Sequence, residues 1–157
     1  MTRVGRPRHF NLRVRLWSGG TGLDAHPSRM SSSTGNVLIV EDDPDTREMV
    51  RQVLATHGYY ALAAGDGLEA LHLLRAVRHR APAAPRLVLL DLSMPRLGGR
   101  EFRRSQLGDP TVANVPVAVM SGATDLHQRA EAMGAVATLA KPLDVDVLIE
   151  VVKRYCA

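Results

Sequence analysis

Residues 86–99 read Arg86-Leu-Val-Leu-Leu-Asp91-Leu-Ser-Met-Pro-Arg-Leu-Gly-Gly99. Four apolar residues lead straight into one carboxylate, and a loop holding Met94, Pro95 and the Gly98-Gly99 pair follows. A short apolar run bounded by turn residues reads as a strand buried on both faces. An Asp at the carboxyl end of such a strand lies where open α/β sheets place their ligands. The rest of the chain reads as equipment for chemistry at Asp91.

Toward the N-terminus, Val37-Leu-Ile-Val40 repeats the pattern, a buried strand running into Glu41-Asp42-Asp43. Pro44 suits a first helical turn, with Asp43 or a neighbour as cap. The stripe Met49, Val50, Val53 and Leu54 gives that helix its apolar face, and Gly58 closes it. Residues 59–64 form a second expected strand, and Gly65-Asp66-Gly67 turns into a helix carrying Ala70, Leu71, Leu74 and Val77. A Pro/Ala loop, 79–85, leads into the central strand.

Toward the C-terminus, a short helix is expected over 99–107, using Phe102 and Leu107 as its apolar contacts. Residues 115–120 read as the fourth strand, 125–133 as a brief helix stopped by Gly134, and 135–140 as the fifth strand. Asp144 caps a last helix with the stripe Leu148, Val151, Val152 and Tyr155. Five βα units with apolar strands argue an α/β fold, a parallel sheet with helices on both faces. Right-handed crossovers and this size predict the flavodoxin-like (βα)5 arrangement, with strand order 2-1-3-4-5.

The chain has 157 residues, 45% hydrophobic and 23% charged, which is enough for one domain with a real core. No apolar run approaches the roughly 18 residues of a membrane span. Cys156 is the single cysteine, which excludes an internal disulfide framework and fits a reducing cytoplasm. A lone thiol at that place reads as incidental.

The net charge of +4 is unevenly spread. Residues 1–35 hold six Arg and one acid, Asp24, whereas 36–157 hold fourteen Lys/Arg and fifteen acids. The basic balance therefore belongs to the first 35 residues, whose Ser/Gly-rich runs predict a disordered basic extension. Met30 is an alternative start, which would make 1–29 a mis-called extension. The folded part, 36–157, carries no basic excess to attract nucleic acid. Arg100, Arg103 and Arg104 read as a solvated helix face. The six histidines (9, 26, 57, 72, 79 and 127) show no ligand spacing.

Four of the five expected strands finish on a reactive group at one edge of the sheet: Glu41-Asp42, Asp91, Ser121 and Lys141. Clustered carboxylates repel and normally hold a hard cation, for which Mg²⁺ is suited by its oxygen preference. An ionised Asp beside such a cation is a possible nucleophile toward a phosphoryl group. Lys141 offers a mobile positive charge to a phosphoryl oxygen, and the Ser121 hydroxyl and the N–H groups after Asp91 offer donors.

With those pieces in register, residues 36–157 resemble a response-regulator receiver domain, the phosphoacceptor of two-component signalling. The resemblance rests on Val-Leu-Ile-Val-Glu-Asp-Asp (37–43), Leu-Leu-Asp-Leu-Ser-Met-Pro (89–95) with Gly98-Gly99, Val-Met-Ser-Gly (119–122) and Ala-Lys-Pro-Leu (140–143). It implies that Asp91 is phosphorylated and that Glu41, Asp42, Asp91 and the Ser93 carbonyl bind Mg²⁺. It further implies that Ser121 moves to meet the phosphoryl group, that Lys141 pairs with it, and that the bond before Pro142 is cis. Asp43 falls outside the acid pair and reads as a helix cap. The implied partners are a sensor histidine kinase or histidine phosphotransfer protein, near the first helix, and a downstream protein at the fourth helix, fifth strand and fifth helix.

Two departures stand out. The family's aromatic rotamer switch, three residues before the Lys, is here Thr138, which puts an aromatic flip in doubt. The positions that tune dephosphorylation are Ser93 and Ala123, neither suited to directing an attacking water, so slow self-dephosphorylation is expected.

Three functions compete: a phosphorylation switch, a haloacid-dehalogenase-type phosphatase, and a receiver-like module that is never phosphorylated. The phosphatase needs a second Asp two residues after its nucleophile, where this chain has Ser93. The intact set of Glu41, Asp42, Asp91, Ser121 and Lys141 argues against the third. No output domain is expected after the fifth helix, so the chain reads as a single-domain, cytoplasmic phosphoacceptor that is not an enzyme in the turnover sense.

Overall fold

The computed structural model describes residues 36–80, 84–94 and 98–157. The expected extension 1–35, the alternative start at Met30, and Pro95 lie outside the described residues. Strands and helices alternate as β1 (Asn36–Val40), α1 (Pro44–Thr56), β2 (Ala61–Ala64), α2 (Gly67–Val77) and β3 (Pro85–Asp91). They continue as α3 (Gly99–Leu107), β4 (Val117–Ser121), α4 (Leu126–Ala132), β5 (Ala137–Ala140) and α5 (Val145–Cys156). The strands are all parallel, in the expected order β2-β1-β3-β4-β5.

Side chains along a strand point alternately to opposite faces. Leu38, Val40, Val88, Leu90, Val117 and Val119 accordingly pack with Ala70, Leu71, Leu74, Phe102, Leu126 and Ala130. Val37, Ile39, Leu87, Leu89, Ala118 and Met120 pack on the other side with Val50, Leu54, Leu148, Ile149 and Val152. So α2, α3 and α4 cover one face and α1 and α5 the other. Burial on both faces is why Val37–Val40, Leu87–Leu90 and Val117–Met120 are unbroken apolar runs.

Three of the helices start on an Asp whose side chain accepts from the first turn. Asp43 accepts from the Thr46 N–H (2.9 Å), Asp66 from Glu69 (2.8 Å), and Asp144 from Asp146 (2.9 Å) and Val147 (3.2 Å). Such caps satisfy otherwise orphaned N–H groups at the helix starts. Gly58, just past α1, has φ +83°, a left-handed conformation that glycine adopts without a Cβ penalty.

The structure corrects the sequence reading in α3, in α1 and at the starts of β2, β4 and β5, which begin two residues later than expected. In α3 the buried residues are Phe102, Arg103 and Gln106, whereas Leu107 is 52% exposed. At about 100° per residue, Gln106 lies near the Phe102 direction and Leu107 well away from it. Arg103 is therefore not part of a solvated face: it is 8% exposed. Its Nε donates to the Met133 carbonyl (2.9 Å), Nη1 to Gln106 Oε1 (2.8 Å) and Nη2 to the Gly134 carbonyl (3.2 Å). Gln106 Nε2 in turn donates to the Val112 and Val115 carbonyls (3.1 and 2.9 Å). Met49, placed on the α1 stripe by periodicity, is 46% exposed, with Val50 and Leu54 forming the buried pair.

Cys156 is fully buried in the layer beneath α1 and α5, and burial pushes its thiol up to about 11. It is a core residue. In the native protein it is expected to resist iodoacetamide at pH 8 and to react once urea unfolds the chain; fast native alkylation would contradict this assignment. The unfolded chain loses the thiol proton first as pH rises from the ordinary 9.0 toward about 11, so this group lowers stability across that window.

Candidate functional site

Strand register brings the reactive groups level. Val40 pairs with Leu90, Asp91 with Met120, and Ser121 with Ala140, so Glu41, Asp91 and Lys141 emerge at one edge. Glu41 continues the ladder, its N–H donating to the Ala64 carbonyl (3.1 Å), and Lys141 does the same toward Ser121 (3.0 Å). Both side chains thus leave a fixed backbone.

Lys141 Nζ stands 2.8 Å from Glu41 Oε2 and 3.3 Å from Asp91 Oδ1. Glu41 and Asp91 are each 1% exposed, and the Lys141 side chain keeps 26%. The Ser93 N–H donates to Asp91 Oδ1 (3.0 Å), and the Asp43 N–H to Glu41 Oε1 (3.2 Å). Carboxylate oxygens of Glu41, Asp42 and Asp91 all lie within 4.8 Å of one another. Glu41 and Asp91 are closed off from solvent, while Asp42 is exposed at the mouth.

Burial raises the Glu41 pKa above its ordinary value, and the nearby Asp91 charge adds to the rise; hydrogen bonds from Lys141 and the Asp43 N–H oppose it. For Lys141, burial works against the charged ammonium, yet the Glu41 hydrogen bond and the fields of Asp91 and Glu41 outweigh it, and its pKa is raised. The site holds excess negative charge that a single ammonium only partly offsets. Three anionic, hard oxygen donors this close together suit Mg²⁺, and the exposed Asp42 gives an approach from water.

Gly99 has a specific reason to be glycine. A Cβ there would meet the Leu92 side chain at 2.8 Å and the Asp91 carbonyl at 3.1 Å, because the start of α3 packs against the Asp91 backbone. The glycine lets the helix close under the loop that follows Asp91. Met94 is buried in the same layer, consistent with a role in shaping that loop.

Ser121 ends β4 and is buried; its Oγ accepts from the Ala123 N–H (3.1 Å). Among the described residues no hydrogen bond joins it to Asp91 or Lys141. Thr138 is half-buried on β5, its Oγ1 3.3 Å from His127 Nδ1 on α4. The Lys141–Pro142 bond is cis, as the resemblance implies. Asp43 caps α1 and stands outside the acid cluster.

One residue beside the site escaped the sequence reading. Arg47 Nη1 donates to the Glu41 carbonyl (2.7 Å) and reaches the Asp42 carbonyl (3.3 Å). Its only sequence signal is a cation in the first turns of a helix, where the dipole disfavours one.

The family profile for the response regulator receiver domain matches residues 37–153. Sporulation initiation phosphotransferase F of Bacillus subtilis is 34% identical over 122 residues, covering 76% of this chain and 91% of that protein. The polar-differentiation response regulator DivK of Brucella anthropi is 30% identical over 122 residues, covering 76% and 94%. Among solved structures, the Vibrio cholerae chemotaxis protein CheY4 superposes with a TM-score of 0.68 at 26% identity, covering 78% of this chain and 99% of its own. Sheet order, the acid and lysine positions and these likenesses agree, and the chain belongs to the response regulator receiver domain family.

Proposed function

We propose that this chain is a Mg²⁺-dependent phosphoacceptor that takes a phosphoryl group onto Asp91 and switches a partner-binding face. The observation that carries the reading is the cluster at the sheet edge. There, three carboxylates lie within 4.8 Å of one another, with Lys141 Nζ 2.8 Å from Glu41 and 3.3 Å from Asp91. The donor is a phosphohistidine of a sensor histidine kinase or histidine phosphotransfer protein.

An Asp91 carboxylate oxygen attacks phosphorus, the P–N bond to the donor imidazole breaks, and its electron pair leaves with the imidazole. An acyl phosphate forms with no change in oxidation state. Lys141 releases Asp91 and follows the phosphoryl oxygens, and the Ser121 hydroxyl turns from the Ala123 N–H to donate to them. Glu41, Asp42, Asp91 and the Ser93 carbonyl would hold Mg²⁺, whose charge would offset that of the phosphoryl group. Burial of Asp91 shields the product from bulk water.

The switching face is α4-β5-α5, where the Thr138–His127 contact joins β5 to α4 in place of an aromatic flip. Phosphate shifts the population by binding one arrangement better than the other. The kinase side lies by α1. The proposed kinase donor places the protein's work in the cytoplasm. Among the described residues no helix is long and apolar enough to cross a membrane.

Incubation with acetyl phosphate and Mg²⁺, followed by intact-mass measurement, tests the proposal. The parent chain is expected to gain one phosphoryl group and Asp91→Ala none. Equal adducts on both, or none on either, would overturn it.

A further inference from the structure

We infer that Arg47 is a positioning residue for the acid pair, its guanidinium gripping the Glu41 and Asp42 carbonyls so that both carboxylates face Asp91. This rests on reading the site as a metal-assisted phosphoacceptor. Only residues 41–43 join the end of β1 to the start of α1, and all three are acids. Their mutual repulsion favours splaying the turn apart. A single nitrogen, Nη1 of Arg47, closes on two successive carbonyls, at 2.7 Å for Glu41 and 3.3 Å for Asp42.

Hydrogen bonds to both carbonyls restrain the peptides of the turn, and with them the directions in which the Glu41 and Asp42 side chains leave it. The result is the arrangement in which their oxygens and that of Asp91 lie within 4.8 Å. Pre-setting ligands in this way is what outer partners of metal sites supply.

Helix stability does not account for Arg47. It sits in the first turns of α1, where the macrodipole disfavours a cation. Among the described residues it forms no ion pair, although the chain offers it many carboxylates. Its guanidinium also borders the β2–α2 turn, since a Cβ on Gly65 would lie 3.6 Å from both Arg47 Nη1 and Glu69 Oε2. Glu69 is already engaged with the Gly65 N–H (2.7 Å), which fixes the wall against which Arg47 rests.

The sign of one measurement separates positioning from simple charge. Deleting a cation beside a metal site should tighten Mg²⁺ binding if Coulomb repulsion is all that Arg47 contributes. Deleting a clamp should weaken it, by about 10-fold on the scale of outer-partner losses.

The test is titration calorimetry of Mg²⁺ into the full chain without any phosphoryl donor, for the parent, Arg47→Met and Arg47→Lys, with thermal midpoints measured in EDTA. Met keeps the length and removes every donor; Lys keeps one donor group and the charge. The expected result is about 10-fold weaker binding in Arg47→Met, substantial recovery in Arg47→Lys, and unchanged midpoints. Acetyl phosphate labelling of Arg47→Met should then recover at saturating Mg²⁺. Unchanged or tighter binding in Arg47→Met, or a loss that tracks a fallen midpoint, would overturn the inference. If the parent itself binds no Mg²⁺, the reading of the site fails first and this inference with it. A parent that binds and is phosphorylated, beside an Arg47→Met that binds equally well, sinks the inference alone.

Discussion

In EDTA, Lys141→Met is expected to unfold about 3 kcal/mol more easily than the parent chain, with Mg²⁺ restoring most of the loss. Glu41 and Asp91 are each 1% exposed, and both are in reach of the same ammonium at 2.8 and 3.3 Å. Removing that cation leaves two neighbouring carboxylates without a counter-charge, which costs several kcal/mol when the pair is buried. The Lys141 side chain retains 26% exposure, which places the effect at the low end of that range.

The loss also depends on pH, and its sign is fixed by Glu41. Burial already raises that carboxyl above its ordinary value, and without Lys141 the rise is larger. An acid whose folded pKa is raised adds a cost that is full above the folded pKa and relieved as pH falls toward the ordinary 4.5. The stability gap between variant and parent should therefore shrink on acidification in EDTA. Labelling moves the other way from metal affinity. Lys141→Met binds Mg²⁺ more tightly because nothing competes for Glu41 and Asp91, yet it accepts phosphoryl groups about 100-fold more slowly for want of the ammonium. Weaker Mg²⁺ binding, or labelling at the parent rate, would contradict this account.

The second large effect lies far from the reacting edge. Arg103→Ala is expected to cost about 3 kcal/mol and roughly 10 °C in thermal midpoint. It strips donors from the Met133 and Gly134 carbonyls and from Gln106 Oε1, all held at 2.8–3.2 Å in the native protein. Buried acceptors left unpaired cost about 1–3 kcal/mol each, and the whole domain is stable by only about 5–15. Burial lowers the pKa of the guanidinium, and no carboxylate partners it among the described residues, so its hydrogen bonds alone hold it there.

Gln106→Ala should be of similar size, because Gln106 ties α3 to the Val112 and Val115 carbonyls ahead of β4. The two losses should not add in the double variant, since the 2.8 Å bond between them is shared. Arg104→Ala, one residue along and exposed, serves as the control, with a change within about 0.5 kcal/mol. Urea unfolding measures all four; an Arg103→Ala as mild as Arg104→Ala would contradict the network's importance.

The same network shows where sequence stops being informative. The strands are legible because the middles of β1, β3 and β4 are buried on both faces and so read as unbroken apolar runs of four residues. The site is legible because parallel strands put Glu41, Asp91, Ser121 and Lys141 at one edge whatever the details of packing. Arg103 is not legible in this way. Two of its three partners are backbone carbonyls some 30 residues away, which no side-chain pattern displays. A nine-residue helix with three arginines reads as solvated until its one buried direction is known. Arg47 hides for the same reason, holding carbonyls and no charge. β2, β4 and β5 start two residues later than the apolar runs suggest. Tyr59, Val115 and Ala135 are apolar because they pack against the core from the turns ahead of these strands.

The central claim, an acyl phosphate on Asp91, is tested most directly by borohydride trapping. Hydride attacks the acyl carbon, phosphate leaves, and further reduction turns the phosphorylated Asp into homoserine, while free carboxylates are untouched. Tryptic cleavage after Arg86 and Arg96 releases a peptide with Asp91 as its sole acid, so assignment is unambiguous. After acetyl phosphate and Mg²⁺ treatment, homoserine is predicted at position 91 and nowhere else. Homoserine at another Asp, or a labelled protein whose Asp91 peptide stays unreduced, would contradict the account.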